Sequence, residues 1–155
     1  MVSTDARDDP RAQSAPGAPV VMIVDDHAHF RSAMRHWIAR LDARYESIEA
    51  ASGEEAVALA ADRKVDIVLM DMELPGINGV EATRRIKANA PRTRVVMLTS
   101  HDASAFRDAA QEAGASAYVL KNRVPQDLES LLAAMLGTRE CGSSPGARNG
   151  SETPP

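Results

Sequence analysis

The residues best equipped for chemistry stand where short apolar runs stop. Asp25 and Asp26 follow Val20-Val21-Met22-Ile23-Val24, and Asp71 follows Ile67-Val68-Leu69-Met70. Thr99 and Ser100 follow Val95-Val96-Met97-Leu98, and Lys121 follows Ala117-Tyr118-Val119-Leu120. Three carboxylates gathered at one point repel one another unless something positive sits among them. Oxygen ligands without Cys or His at metal-binding spacing favour a hard cation, and Mg²⁺ uses one or two carboxylates while keeping waters. Such a cation beside an ammonium and a hydroxyl is suited to phosphoryl transfer, where catalysis is mostly positioning and charge neutralisation. A carboxylate can itself be the nucleophile, giving an aspartyl phosphate. Asp71 is the central candidate: it ends the predicted middle strand and precedes the turn-rich loop Glu73-Leu74-Pro75-Gly76-Ile77-Asn78-Gly79.

Taken singly, each residue has a plainer reading. An Asp-Asp pair after a strand can be a turn, Thr99-Ser100 can cap a helix, and most lysines are simply solvated. His27, His29, His36 and His101 have no zinc-type spacing with cysteine and read as surface or near-site groups. The sharper reading requires a scaffold that brings the run ends to one edge.

The pattern between the runs supplies that scaffold. The four runs are apolar on both parities, as parallel strands covered on both faces are. A weaker run, Ser47-Ile48-Glu49-Ala50, suits a fifth strand at an edge. Helical periodicity follows each run: Phe30, Met34, Trp37, Ile38 and Leu41; then Ala56, Leu59 and Ala60 after Ser52-Gly53. Val80, Thr83, Ile86 and Lys87 follow Gly79, Phe106 to Ala113 end at Gly114, and Leu128 to Leu136 stop at Gly137. The cluster Arg84-Arg85-Lys87 reads as the solvated face of one helix. Five strands alternating with five helices imply an α/β fold with a doubly wound parallel sheet and right-handed crossovers. Ligands in such folds bind outside the carboxyl ends of the strands, where these residues stand.

Composition narrows the function further. The chain has 155 residues, 44% apolar, with a net charge of -4, so no basic patch argues for nucleic-acid contact by this domain. A single cysteine, Cys141, excludes an internal disulfide and suits a reducing compartment. The N-terminus has no apolar signal core, and no run is long enough to span a bilayer, so a cytoplasmic location is expected. Residues 1–18 and 138–155 are rich in small and polar residues; the first reads as a disordered tail and the second as a disordered tail or linker, around a domain at 19–137.

The segments IVDDHAHFRSAM, DIVLMDMELPGINGVEATRRI, VVMLTSHD and GASAYVLKNRVPQDL resemble the conserved blocks of the response-regulator receiver family of bacterial two-component systems. The wording DDH, LMDMELPGINGVEATRRI and GASAYVLK is most similar to the NarL/LuxR-type branch. The resemblance implies a flavodoxin-like sheet of order 2-1-3-4-5. It implies Asp71 as phosphoacceptor, and Mg²⁺ held by Asp26 and Asp71, by Asp25 largely through water, and by the backbone carbonyl of Glu73. Lys121 would pair with phosphoryl oxygens, and Thr99, with Ser100 beside it, would bring a hydroxyl to them. Tyr118 would follow as an aromatic switch. Where many receivers carry proline after the lysine, this chain has Asn122. Glu73 and His101 occupy positions that influence phosphate lifetime in the family.

A receiver of this kind takes its phosphoryl group from a sensor histidine kinase or a phosphotransfer protein and catalyses only its own phosphorylation and dephosphorylation. Homodimerisation is expected through helix 103–113, strand 117–120 and helix 125–136. A start at Met1 and a short polar C-terminus suggest a stand-alone switch. The alternative is the receiver half of a NarL/LuxR-type transcription factor whose DNA-binding domain lies beyond this chain. A phosphatase with an aspartate nucleophile would carry a second Asp two residues on, where Glu73 stands.

Overall fold

The computed structural model describes residues 17–137; the two expected tails otherwise lie outside the described residues. The chain divides into two compact units between Lys121 and Asn122. The first unit alternates strand and helix: β1 (Val20–Val24), α1 (Ala28–Leu41), β2 (Glu46–Ala50), α2 (Gly53–Asp62), β3 (Ile67–Asp71), α3 (Gly79–Asn89), β4 (Arg94–Thr99), α4 (Ser104–Ala113) and β5 (Ala117–Leu120). The strands form one five-stranded parallel sheet of order β2-β1-β3-β4-β5, the flavodoxin-like order that the resemblance implied.

Burial explains why both parities of the central strands are apolar. Every residue of β1 and β3 is buried, as are Val95 to Leu98 of β4, so each strand fills the core on two faces. The edge strand β2 is only half-buried apart from Ala50, which is why its sequence signal is weak. Met22, Met70, Met72 and Met97 supply much of the volume that scarce aromatics leave to fill.

Local signals set the helix ends. Ser52 accepts a hydrogen bond from the Glu55 amide while the Glu55 carboxylate accepts from the Ala51 amide, a near-reciprocal cap on α2. Asn78 caps α3 through the Glu81 amide. α4 stops at Gly114, whose φ of 106° lies in the left-handed region. Arg84 and Arg85 on α3 are exposed and paired with Glu81, as a solvated face should be. Lys87 departs from that expectation: its ammonium donates to the carbonyls of Pro91 and Thr93 and closes the turn into β4.

The second unit begins at Asn122. The final helix expected from sequence is present as one continuous helical stretch, wound as π at Val124–Leu128, as α at Glu129–Leu132 (α5) and as π again at Ala133–Gly137. Its buried residues Val124, Leu128, Leu132 and Leu136 recur in steps of four. A winding that alternates α and π keeps such a step on one face better than pure α at about 3.6 residues per turn.

Candidate functional site

Strand register assembles the site. Val24 is paired with Met70, so Asp25 and Asp71 emerge side by side from β1 and β3. Asp71 is level with Leu98, and Thr99 with Leu120, so Thr99 and Lys121 complete one edge. The Asp25 amide is tied to the Ala50 carbonyl and the Met72 amide to the Leu98 carbonyl, fixing both acidic turns to neighbouring strands. Gly79 closes the loop after Asp71: a Cβ there would run into the Asp71 carbonyl, so only glycine fits.

Asp25 is fully buried and Asp71 is 3% exposed. The Lys121 ammonium lies between them, donating to Asp25 Oδ2 at 2.7 Å and standing 3.3 Å from Asp71 Oδ1. It is the positive group that clustered carboxylates require. Phe30 of α1 covers it, with the ammonium 4.5 Å from the ring centre. Asp71 Oδ1 also accepts from the Glu73 amide at 3.2 Å. Asp26 is exposed beside them, with its Oδ1 3.2 Å from His27 Nδ1.

Thr99 is fully buried, and its hydroxyl engages the His101 peptide, donating to the carbonyl at 3.2 Å and accepting from the amide at 3.1 Å. Tyr118 donates to the same carbonyl at 2.9 Å. The His101 ring reaches back over the acidic edge to Glu73, Nδ1 to Oε2 3.0 Å. Ser100, in contrast, is exposed on the turn beyond β4.

A model of the response regulator receiver domain matches residues 21–133. The chain belongs to that family. This receiver is 37% identical to response regulator UvrY of Escherichia coli K12 over 112 residues, which is 72% of this chain and 51% of UvrY. The chain thus spans about half the length of the curated relatives it matches. A LuxR-family two-component response regulator from Aurantimonas sp. SI85-9A1 is 41% identical, with a TM-score of 0.71, covering 77% of this chain and 85% of that one. A CheY-like receiver from Methanospirillum hungatei JF-1, 24% identical, shares the fold at a TM-score of 0.72 over 80% of this chain and 98% of its own.

Electrostatics in the receiver divide the two buried carboxylates. Burial pushes both up. At Asp25 it is outweighed by the hydrogen bonds from Lys121 and the His27 amide and by the Lys121 charge, so this carboxyl ends below its ordinary value. At Asp71 burial and the Asp25 charge act together and Lys121 offsets only part, leaving it raised to about 6. Burial lowers the Lys121 ammonium, but the hydrogen bond to Asp25 and the charges of Asp71 and Asp25 win, and it is held above its usual value.

Ligand atoms of Asp25, Asp26, His27 and Asp71 all lie within 4.8 Å of one another, a mostly carboxylate donor set that fits a small divalent cation. The sequence reads His27 as a surface or near-site group, and its side chain is 71% exposed beside the acidic pair. The structure places its ring at the edge of the acidic cluster, so the near-site reading describes it. Adjacency to Asp-Asp was the one available hint. Arg31 has no such signal: it donates to the Asp25 carbonyl at 2.7 Å and to Glu49 Oε1 at 3.0 Å, bracing the acidic turn against β2. Nothing in the sequence pairs residue 31 with residue 49.

Proposed function

We propose that this receiver accepts a phosphoryl group on Asp71 from the phosphohistidine of a sensor kinase or phosphotransfer protein. The observation that carries the reading is one ammonium, Lys121, shared at 2.7 and 3.3 Å by two buried carboxylates at the sheet edge. Asp25, Asp26, Asp71 and the Glu73 carbonyl would hold Mg²⁺, which when bound supplies charge neutralisation for the moving phosphoryl oxygens. In the transfer an Asp71 carboxylate oxygen forms the new P–O bond as the P–N bond to the donor imidazole breaks, and the imidazole nitrogen keeps the electron pair. Lys121 exchanges part of its contact with the carboxylates for the incoming oxygens. The Glu73 amide, already donating to Asp71, holds the nucleophile's orientation.

Phosphorylation adds roughly two negative charges and strong acceptor oxygens. Thr99 then gains more by donating to a phosphoryl oxygen than to the His101 carbonyl, with Ser100 beside it, and Tyr118 repositions with the loop. The surface formed by α4 and β5 changes with them and is the expected region of homodimerisation or output binding. Among the described residues no helix is long and apolar enough to cross a membrane.

Intact-protein mass spectrometry after acetyl phosphate treatment tests the reading. One added phosphoryl group that requires both Mg²⁺ and Asp71 is expected. Uptake by Asp71→Asn, or failure of wild type to bind beryllium fluoride as well as phosphate, would overturn it. A second reading makes this receiver the regulatory half of a longer DNA-binding protein, since the matched segment is about half of UvrY. The gene sequence beyond Pro155 decides between them.

A further inference from the structure

The cation site proposed above leaves out one donor of its cluster, the His27 ring, whose Nδ1 is hydrogen-bonded to Asp25 Oδ1. His27 Nδ1 lies 3.1 Å from Asp25 Oδ1 and 3.2 Å from Asp26 Oδ1. Neighbouring ligands of an octahedral ion with bonds of about 2.1 Å stand about 3 Å apart, so these spacings suit adjacent corners of one coordination sphere. The backbone at His27 is anchored on both sides: its amide donates to Asp25 Oδ1 at 2.8 Å, and its carbonyl accepts from the Arg31 amide at 3.1 Å. The side chain is 71% exposed, so the ring can turn toward an ion without disturbing the core.

Resting on that site, we propose that His27 is a metal ligand and tunes the receiver toward first-row transition cations of the Mn²⁺ and Co²⁺ class over Mg²⁺. Mg²⁺ is hard, dehydrates reluctantly and gains little from an imidazole. Transition cations bind imidazole well, and their affinity rises along the first-row series for a site of mixed nitrogen and oxygen donors. An all-oxygen version of the same acidic edge would lack that added preference.

Calorimetric titration of the full chain with Co²⁺ and with Mg²⁺ tests this on wild type, His27→Phe and Asp26→Asn, with excess Mg²⁺ used to displace Co²⁺. His27→Phe should weaken Co²⁺ by at least about tenfold, a scale that even residues supporting a ligand reach, while Mg²⁺ affinity stays close to wild type. In wild type, one equivalent of Zn²⁺ should shift the ring nitrogen resonances of His27, a readout independent of any variant. Equal Co²⁺-to-Mg²⁺ affinity ratios in wild type and His27→Phe, or unmoved His27 resonances, would each overturn the proposal. If Asp26→Asn binds Mg²⁺ as wild type does, the acidic site itself has been misread, a failure separate from that of His27.

Discussion

Tyr118 and His101 are joined by a hydrogen bond of 2.9 Å from the phenol to the backbone carbonyl, and that carbonyl also accepts from Thr99. One peptide therefore holds both hydroxyls that the switch would use. Their burial differs, and so should their cost. Thr99 is fully buried, and Thr99→Val leaves the His101 amide without its acceptor, an expected loss of about 1–3 kcal/mol. Tyr118→Phe removes one exposed hydrogen bond and should cost about 1 kcal/mol or less. Urea unfolding of both variants checks the order; the reverse order would show that the loop is held by something else.

Asp71 makes stability depend on pH. Its carboxyl is raised from 3.8 to about 6 by burial and the charge of Asp25. Between those values the folded chain binds more protons than the unfolded one, so the group's contribution falls as pH rises through 6 and is unfavourable at neutrality. In EDTA at pH 7.5, Asp71→Asn should therefore be more stable than wild type, by an amount on the order of 1–3 kcal/mol. The gain should vanish below pH 4. Thermal unfolding across that range measures it, and an unchanged midpoint at pH 7.5 would mean that Lys121 fully compensates the charge.

Lys121 has a structural part that its position in the sequence does not reveal. From sequence, a strand-end lysine looks removable without harm to the fold. Its ammonium, however, is the partner of the fully buried Asp25 carboxylate. Removing one member of a buried pair leaves the other charge uncompensated, so Lys121→Met should lose about 2–4 kcal/mol in EDTA. Asp25→Asn introduced beside it should recover much of the loss. Denaturant titration of the single and double variants gives the coupling, and additive losses would exclude it.

Gly79 should be the least replaceable glycine of the receiver. Gly79→Ala drives a methyl group into the Asp71 backbone, which cannot move without displacing the acceptor, and a loss above about 3 kcal/mol is expected. Gly114→Ala, with φ of 106° and the flexible Lys87 stem nearby, should cost about 1–2 kcal/mol. Comparable unfolding midpoints for the two would contradict the close approach at Gly79.

Much of this receiver is legible because its signals are local. The apolar runs mark the buried strands, Ser52, Asn78 and Gly114 mark helix ends, and every proposed site residue stands in or beside a strand or its carboxyl-end turn. Those properties follow from hydrogen bonding and burial within a few residues, so a single chain displays them. The sequence also determined that acidic, hydroxyl and ammonium groups would share one edge, because parallel strands all point the same way.

Tertiary structure alone decided the partners. Placing β1 beside β3 sets Asp25 against Asp71, and the contact of Lys121 with Asp25 joins residues 96 positions apart. The pairs Glu73–His101 and Arg31–Glu49, and the entry of His27 into the acidic cluster, likewise depend on register and side-chain direction across elements. The split pKa values of Asp25 and Asp71 follow from the same cause: identical side chains become different acids when one accepts the lysine's hydrogen bond and the other is left facing a buried negative charge.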